Sequence, residues 1–224
     1  MNQIEKNTVS AENQTNSNVL IENEKGKGKR ILFVGNSITR HGVKEDIGWL
    51  VDWGMAASAK GKDYVHRVMA NVLEKDPDAA FCICQAYEWE REYKDGESVH
   101  SLYASAKSFK ADIIIMRIIE NCPIEESDKS IFKEKYLKFI QYLNPEGKAK
   151  VILTSSFWKK IGDDIIQEIA VENKLDFIYL GDLGECSDMR ADGLFEHSGV
   201  AHHPGDMGMQ KITERIFEKV KLYL

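Results

Sequence analysis

The amino-acid sequence predicts a single α/β domain in which helices cover both faces of a five-stranded parallel sheet. Short runs rich in Val, Ile, Leu and Phe alternate along the chain with longer amphipathic stretches. The middle runs are almost continuously apolar, which is typical of parallel strands buried on both faces. A length of 224 residues suits one domain with one large core. Together these observations predict a three-layer α/β/α sandwich.

The first 28 residues differ in composition from the rest of the chain. Residues 1–28 are rich in Asn, Glu, Lys, Ser and Thr, contain few large apolar residues, and run into the Gly-Lys-Gly-Lys sequence of residues 26–29. A segment of this kind cannot bury enough surface to offset the entropy lost on ordering. We therefore expect a flexible tail over residues 1–28 and a folded domain over residues 29–224.

Five apolar runs have the length and composition of β-strands. They are enriched in β-branched and aromatic residues, and turn-forming or polar residues bound them. The predicted strands cover residues 31–35, 80–86, 112–118, 150–155 and 176–180.

Three of the connecting stretches show the apolar spacing of amphipathic helices. The first ends at 144–147, where Asn, Pro and Gly interrupt the helical pattern. The last begins near Asp206, which is predicted to be its N-cap. The predicted buried faces are Phe132, Tyr136, Phe139, Ile140 and Leu143 in the first helix, Ile161, Ile165 and Ile169 in the second, and Met209, Ile212, Ile216 and Val220 in the third.

Composition and charge exclude several classes of function. The net charge of -6 argues against nucleic-acid or anionic-membrane partners. No apolar run approaches the length of about 18 residues that a membrane span needs. No secretory signal segment is evident, so we expect a cytoplasmic protein. The four cysteines have no disulfide-framework spacing, and we expect free thiols at Cys82, Cys84, Cys122 and Cys186.

The first predicted strand ends in Gly35-Asn36-Ser37. A serine at the carboxyl end of a buried strand presents its hydroxyl at the edge of the sheet, where α/β folds form their binding crevices. Ser37 is therefore a candidate nucleophile. The alternative is an ordinary turn, because Asn and Ser side chains often bond to their own backbone.

Two further polar groups follow other strands. Arg117, Glu120 and Asn121 come after the third strand, and the neighbouring His202 and His203 lie on the long segment after the fifth. Carboxyl ends of parallel strands meet at one edge of the sheet, so these side chains are expected to approach Ser37. A hydroxyl, an imidazole and an amide donor are the groups that ester hydrolysis needs.

These segments resemble the sequence blocks of the SGNH (GDSL-type) hydrolases. The segment 35–39 (Gly-Asn-Ser-Ile-Thr) is similar to the first block, Glu120-Asn121 to the third, and 203–208 (His-Pro-Gly-Asp-Met-Gly) to the last. The segment 47–58 resembles the corresponding segment of a bacterial subgroup of these hydrolases, whose function is unsettled. The resemblance implies a flavodoxin-like sheet and a serine hydrolase acting on esters. It assigns Ser37 as nucleophile, Asn121 as oxyanion donor and His203 as general base.

Two parts of the family pattern are missing from this chain. The acid expected three residues before the histidine is replaced by Val200, so Glu196, Asp192 or a backbone carbonyl would have to orient the imidazole. The glycine expected after the second strand is also absent. A backbone amide of Ala86 or Tyr87 is the predicted substitute in the oxyanion site.

Five other residues are candidates for contacting the substrate. Arg117 and Glu120 form either a mutual ion pair or a polar contact in the pocket. Trp49 and Trp53 either stack on a sugar ring or pack in the core. His202 either lines the pocket or is structural.

The resulting functional hypothesis is a serine esterase that works through an acyl-enzyme, without cofactor or metal. The preferred substrate is a small-molecule ester, an O-acetyl or other acyl ester of a carbohydrate, and a lipid or thioester is the next candidate. Two other classes stay open. One is a non-catalytic carbohydrate-binding module on the same fold, and the other is a metal-dependent hydrolase using His202, His203 and Asp206. The sequence leaves the oligomeric state open.

Overall fold

A computed structural model describes residues 18–224, and within them the chain forms one six-stranded sheet. Each predicted apolar run becomes a strand, shortened or extended by one or two residues at its ends. The strands are Val19–Glu22 (β1), Arg30–Gly35 (β2), Ala80–Gln85 (β3), Ile113–Arg117 (β4), Lys150–Thr154 (β5) and Asp176–Ile178 (β6).

From β2 onward, helices connect each strand to the next. The α-helices of the described chain are Tyr64–Leu73 (α1), Tyr87–Glu92 (α2), Ala104–Ser108 (α3), Lys129–Leu143 (α4), Ile161–Asn173 (α5), Ser198–Ala201 (α6) and Asp206–Val220 (α7). Short 3-10 segments cover Glu45–Ile47, Lys60–Lys62, Tyr93–Tyr103, Glu126–Asp128 and Ser187–Met189.

The strands lie in the order β1-β3-β2-β4-β5-β6. The pairs formed by β2 with β3, β2 with β4, β4 with β5 and β5 with β6 are all parallel. Counted along the chain, these five parallel strands have the flavodoxin-like order 2-1-3-4-5. The predicted three-layer α/β/α class is confirmed, whereas the predicted strand count of five is wrong by one.

The additional strand lies in the segment that was predicted to be a flexible tail. β1 pairs antiparallel with β3 along the sheet edge, with Val19 opposite Cys84 and Glu22 opposite Phe81. Val19 and Ile21 are buried against the sheet, because the short Val-Leu-Ile run places two apolar side chains on one face. The tail prediction is therefore wrong for residues 18–28, and residues 1–17 lie outside the described part of the chain.

Alternate residues of the strands form two separate apolar layers. Leu32 and Ile114 face α4, α5 and the segment 93–103. Phe33 and Ile115 face α1 and α7 on the opposite side. This alternation is the reason that the strands read as continuous apolar runs, because both of their faces lie in a core. The predicted free, buried thiols of Cys82 and Cys84 share the first layer.

The predicted inner faces of α4 and α7 are buried as expected. Two details at helix starts differ from prediction. Ile161 is 54% exposed, because it is the first residue of α5 and lies outside the packed stripe. Asp206 is the first helical residue rather than the N-cap, and its carboxylate accepts hydrogen bonds from the backbone and hydroxyl of Ser58. Among residues 18–224, no helix combines the length and apolar content that crossing a bilayer requires.

Candidate active site

Ser37 lies on a tight turn directly after β2. A side chain at Gly35 would overlap the hydroxyl of Thr39, so the turn needs glycine at this point. The Asn36 carbonyl accepts hydrogen bonds from the amides of Thr39 and Arg40, at 2.9 and 3.0 Å. The Met55 amide donates to the Ser37 carbonyl at 2.8 Å. Backbone contacts therefore hold the turn on both sides of the serine.

His203 reaches Ser37 from the segment between α6 and α7. Its carbonyl accepts from the Ala191 amide at 2.9 Å, and its Nε2 lies 2.8 Å from the Ser37 hydroxyl oxygen. The other ring nitrogen, Nδ1, lies 2.7 Å from the Gly199 carbonyl oxygen. Because a carbonyl only accepts, Nδ1 carries the ring hydrogen and the Nε2 lone pair faces the serine hydroxyl. This tautomer can take the proton of Ser37.

Among residues 18–224 no carboxylate contacts the His203 imidazole, so the predictions of Glu196 and Asp192 as the orienting acid are wrong. Asp192 instead accepts a hydrogen bond from Arg190 at 2.7 Å. Val200, at the position of the expected acid, is buried among apolar side chains beneath the loop. The Gly199 carbonyl is the partner, which corresponds to the Ser-His dyad alternative of the sequence analysis.

Burial lowers the pKa of His203 to about 4, and the hydrogen bond to the Gly199 carbonyl offsets only part of this effect. An imidazole with this pKa is neutral near pH 7. The side chain is therefore in the protonation state that a general base needs before attack.

Asn121 faces the same cavity as Ser37 and His203, and the volume of this cavity is about 370 Å³. The Asn121 side-chain nitrogen donates one hydrogen bond, to Glu90 Oε2 at 2.6 Å. A carboxamide nitrogen carries two hydrogens. Within residues 18–224 the second hydrogen meets no acceptor, so it is available to a bound group.

The predicted backbone donors of the oxyanion site are already engaged. The Ala86 amide donates to the Gly35 carbonyl at 2.6 Å, because Ala86 continues the hydrogen-bond ladder between β3 and β2. The Tyr87 amide faces the side-chain oxygen of Gln85 at 3.3 Å. The predictions of the Ala86 and Tyr87 amides as oxyanion donors are therefore wrong. The Ser37 amide, in contrast, makes no hydrogen bond within the described residues.

A buried polar network lies beneath the site. The Asn36 side-chain nitrogen donates to Glu90 Oε1 at 3.0 Å and to Glu120 Oε2 at 2.6 Å. The Asn36 side-chain oxygen accepts from Arg117 at 3.1 Å, and Arg117 also forms a short ion pair with Glu120. The Arg117 side chain is fully buried and that of Glu120 is 6% exposed. The predicted ion pair is confirmed, and neither residue lines the cavity, so their alternative role in contacting substrate is not supported.

Two members of this network, Glu90 and Asn36, were not predicted from the sequence. Glu90 stands in the acidic stretch Glu88–Glu92, which resembles an ordinary solvated helix face. Its burial depends on how α2 packs in the folded protein, and the local sequence does not reveal this packing. Asn36 was noted only as part of the turn.

The other predicted substrate-contacting residues do not line the cavity. Trp49 is buried and donates to the His41 carbonyl at 3.0 Å, and Trp53 donates to the Ala57 carbonyl at 3.0 Å. The two indoles pack edge to face, so both serve the core of the 47–58 loop. His202 is exposed and stacks on Trp158 at a ring distance of 5.4 Å.

The cavity also contains polar residues that the sequence analysis did not single out. His41, Lys44, Gln85 and His197 line it together with the hydroxyl-bearing Tyr87. None of the described lining residues carries a carboxylate. Within residues 18–224, no cluster of three His, Cys, Asp or Glu side chains has the geometry to hold a metal ion.

Comparisons with known proteins match this fold to carbohydrate esterases. No protein-family model matches the chain, and no curated protein matches it. Among solved structures, a two-domain esterase active on acetylated mannans has 18% identity and a TM-score of 0.56 over 90% of this chain and 52% of that chain. An acetyl xylan esterase from Geobacillus stearothermophilus has 14% identity and a TM-score of 0.53 over 87% of this chain and 95% of that chain.

A family two carbohydrate esterase from Cellvibrio japonicus has 14% identity and a TM-score of 0.54 over 87% of this chain and 61% of that chain. The present chain thus spans about half the length of the mannan esterase, 52%. At these identities the likeness concerns the fold. The predicted α/β fold class is what this likeness supports.

Proposed function

We propose that this protein is a serine esterase with Ser37 as nucleophile, His203 as general base and Asn121 as oxyanion donor. The observation that carries the proposal is the 2.8 Å contact between the Ser37 hydroxyl and the unprotonated Nε2 of His203. This pair lines a cavity that also contains Asn121. A nucleophile, a base and a donor at one cavity are the minimum set for acyl transfer.

The reaction begins when Ser37 attacks the ester carbonyl and His203 Nε2 takes the hydroxyl proton. The negative oxygen of the tetrahedral intermediate accepts from the Ser37 amide and the second N–H of Asn121. The ester C–O bond then breaks, and the leaving alcohol takes the proton from His203. A water molecule attacks the acyl-enzyme with His203 again as base, which releases the acid and restores the Ser37 hydroxyl.

A carbohydrate ester is the substrate class that the cavity supports best. Its rim offers hydrogen-bonding side chains at Lys44, Gln85 and Tyr87, which suit a hydroxyl-rich alcohol better than a lipid chain. Several proteins of the same fold are described as esterases of acetylated mannan or xylan. We therefore place an O-acetylated sugar ahead of lipid esters and thioesters.

A non-catalytic carbohydrate-binding module is the second candidate. The observation that favours it is the contact of His203 Nδ1 with a carbonyl rather than a carboxylate. A carboxylate would stabilise the imidazolium formed during attack, whereas a carbonyl dipole stabilises it less.

Labelling with a serine-reactive fluorophosphonate separates the two candidates. If the protein is an esterase, the wild type should be labelled and Ser37→Ala should not. Ser98→Ala should label fully, because the Ser98 hydroxyl is exposed and donates to the Asp95 carbonyl. Hydrolysis of 4-nitrophenyl acetate should follow the same pattern. A wild-type protein that neither labels nor turns over this ester, but binds acetylated oligosaccharides in calorimetry, would establish the binding module.

A further inference from the structure

Glu90 is a fully buried carboxylate that contacts both halves of the candidate site. Its Oε2 accepts from the Asn121 side chain at 2.6 Å. Its Oε1 accepts from the Ile119 amide at 2.5 Å and from the Asn36 side chain at 3.0 Å. One side chain thus joins the oxyanion residue Asn121 to Asn36, the residue that precedes the nucleophile.

The hydrogen-bond donors, and not a cation, compensate the burial of this charge. Arg117 contacts Glu120 and Asn36 and has no direct contact with Glu90. A carboxylate removed from water is costly unless its oxygens accept hydrogen bonds of good geometry. The orientation of Asn36 and Asn121 is therefore coupled to Glu90, because rotating either carboxamide would leave a buried charge without its donor.

We infer that Glu90 is a positioning residue of the esterase site, which acts through Asn121 and does not touch the substrate. By accepting one hydrogen of the Asn121 carboxamide, Glu90 fixes the amide plane and directs the second hydrogen into the cavity beside Ser37. The Asn36 contact is not part of this role, because Glu120 and Arg117 also hold the Asn36 side chain. The inference rests on the proposed function, because the second hydrogen has a role only if an oxyanion forms there.

The protonation state of Glu90 controls this contact. The titratable groups around Glu90 are Glu120, Cys122, Tyr103 and Tyr136. Arg117 pairs with Glu120 and is connected to Glu90 through the Asn36 side chain. Burial, followed by the charge of Glu120, raises the pKa of Glu90 to about 7. A protonated Glu90 would place an O–H against N–H groups that need an acceptor, and its hydrogen bond with Asn121 would be lost. Turnover should therefore fall as the pH decreases through about 7, well above the pKa of about 4 that burial gives His203.

A double-mutant cycle tests whether Glu90 acts through Asn121. Glu90→Gln keeps the size of the side chain but replaces an acceptor with a donor, and we expect it to lower kcat on 4-nitrophenyl acetate by about a hundredfold, the usual loss for one oxyanion donor. KM should stay within about twofold, since the oxyanion exists only in the transition state. Asn121→Ala should cost a similar factor, and the double variant should be no worse than the poorer single variant.

The matched control is Glu92→Gln, the same substitution at an exposed position of α2, which should retain wild-type kcat. An active wild type whose Glu90→Gln variant keeps its kcat overturns the inference alone. Losses that multiply in the double variant also overturn it, because they show that Glu90 acts independently of Asn121. A wild type without labelling or turnover overturns the proposed function instead.

The pH profile of Asn121→Ala provides a test that does not require Glu90→Gln to fold. If Glu90 acts by orienting Asn121, the fall in kcat near pH 7 in the wild type disappears when Asn121 is absent, and the remaining acid limb belongs to His203. The same limb persisting near pH 7 in Asn121→Ala shows that Glu90 does not act through this residue, and overturns the inference.

Discussion

The buried network beneath the site predicts a stability loss with a defined pH dependence when Arg117 is replaced by Met. Arg117 is fully buried, and it contacts Glu120 and the side-chain oxygen of Asn36. Methionine fills similar space without charge. Glu90 and Glu120 then share a buried region with no cation, and Asn36 loses a donor.

The magnitude follows from the cost of an unpaired buried charge. Removing one partner of a buried ion pair costs about 3 to 5 kcal/mol. The loss should be greater at pH 8 than at pH 5. In the folded variant the repulsion between Glu90 and Glu120 raises their affinity for a proton, whereas carboxylates of the unfolded chain lose their protons above about pH 4.5. At pH 5 the folded variant can therefore bind a proton and relieve the repulsion, and at pH 8 it cannot. A pKa difference of one unit is worth about 1.4 kcal/mol, so we expect the loss to shrink by at least about 1 kcal/mol at pH 5.

Urea unfolding of wild type and Arg117→Met at pH 5 and pH 8 measures both quantities. Arg215→Met is the matched control, since Arg215 makes a two-pronged pair with Asp182 at the surface, where the side chains are 34% and 50% exposed. That substitution should cost no more than about 1 kcal/mol at either pH. An equal loss at pH 5 and pH 8 for Arg117→Met would show that the network does not hold ionised carboxylates, and would refute the reasoning.

Three further predictions concern the turn, the base and the thiols. Gly35→Ala should destabilise the protein by about 1 to 3 kcal/mol in thermal unfolding, because the new methyl overlaps Thr39; an unchanged Tm would contradict this. Burial lowers the pKa of His203 to about 4, so the unfolded chain binds more protons between that pH and about 6.5, and wild-type stability rises with pH across the window. His203→Gln should lose about 2 kcal/mol of this rise between pH 4.5 and 7 in urea titrations, and an identical slope in both proteins would exclude a depressed pKa. Cys186 is exposed, whereas burial raises the pKa of the Cys82 thiol. A disulfide reagent should therefore label Cys186 rapidly in the native protein, and Cys186→Ser should abolish this fast phase; if the fast phase survives, a buried thiol is accessible.

The parallel core, and the meeting of Ser37, Asn121 and His203 at one edge of the sheet, could be predicted from the sequence because both depend on local patterns. A strand buried on both faces has to be apolar at every position, so its signature is visible in five consecutive residues. Residues that follow the carboxyl ends of parallel strands meet at one edge, which brings distant segments together without any knowledge of their loops. The same reasoning failed for β1, because four residues in a polar segment carry too little pattern to outweigh their surroundings.

The partner of His203 and the burial of Glu90 were decided by the tertiary structure alone. Whether an imidazole meets Asp192, Glu196 or the Gly199 carbonyl depends on the path of a loop, and Val200 fixes that path by packing beneath it. Likewise, an acidic residue on a short helix becomes a buried acceptor only when the helix packs with that side inward. Composition and spacing specify which chemical groups are present. The hydrogen bonds of 2.8 Å between Ser37 and His203 and of 2.6 Å between Asn121 and Glu90 join residues far apart in the chain, so they form only when the tertiary structure is packed.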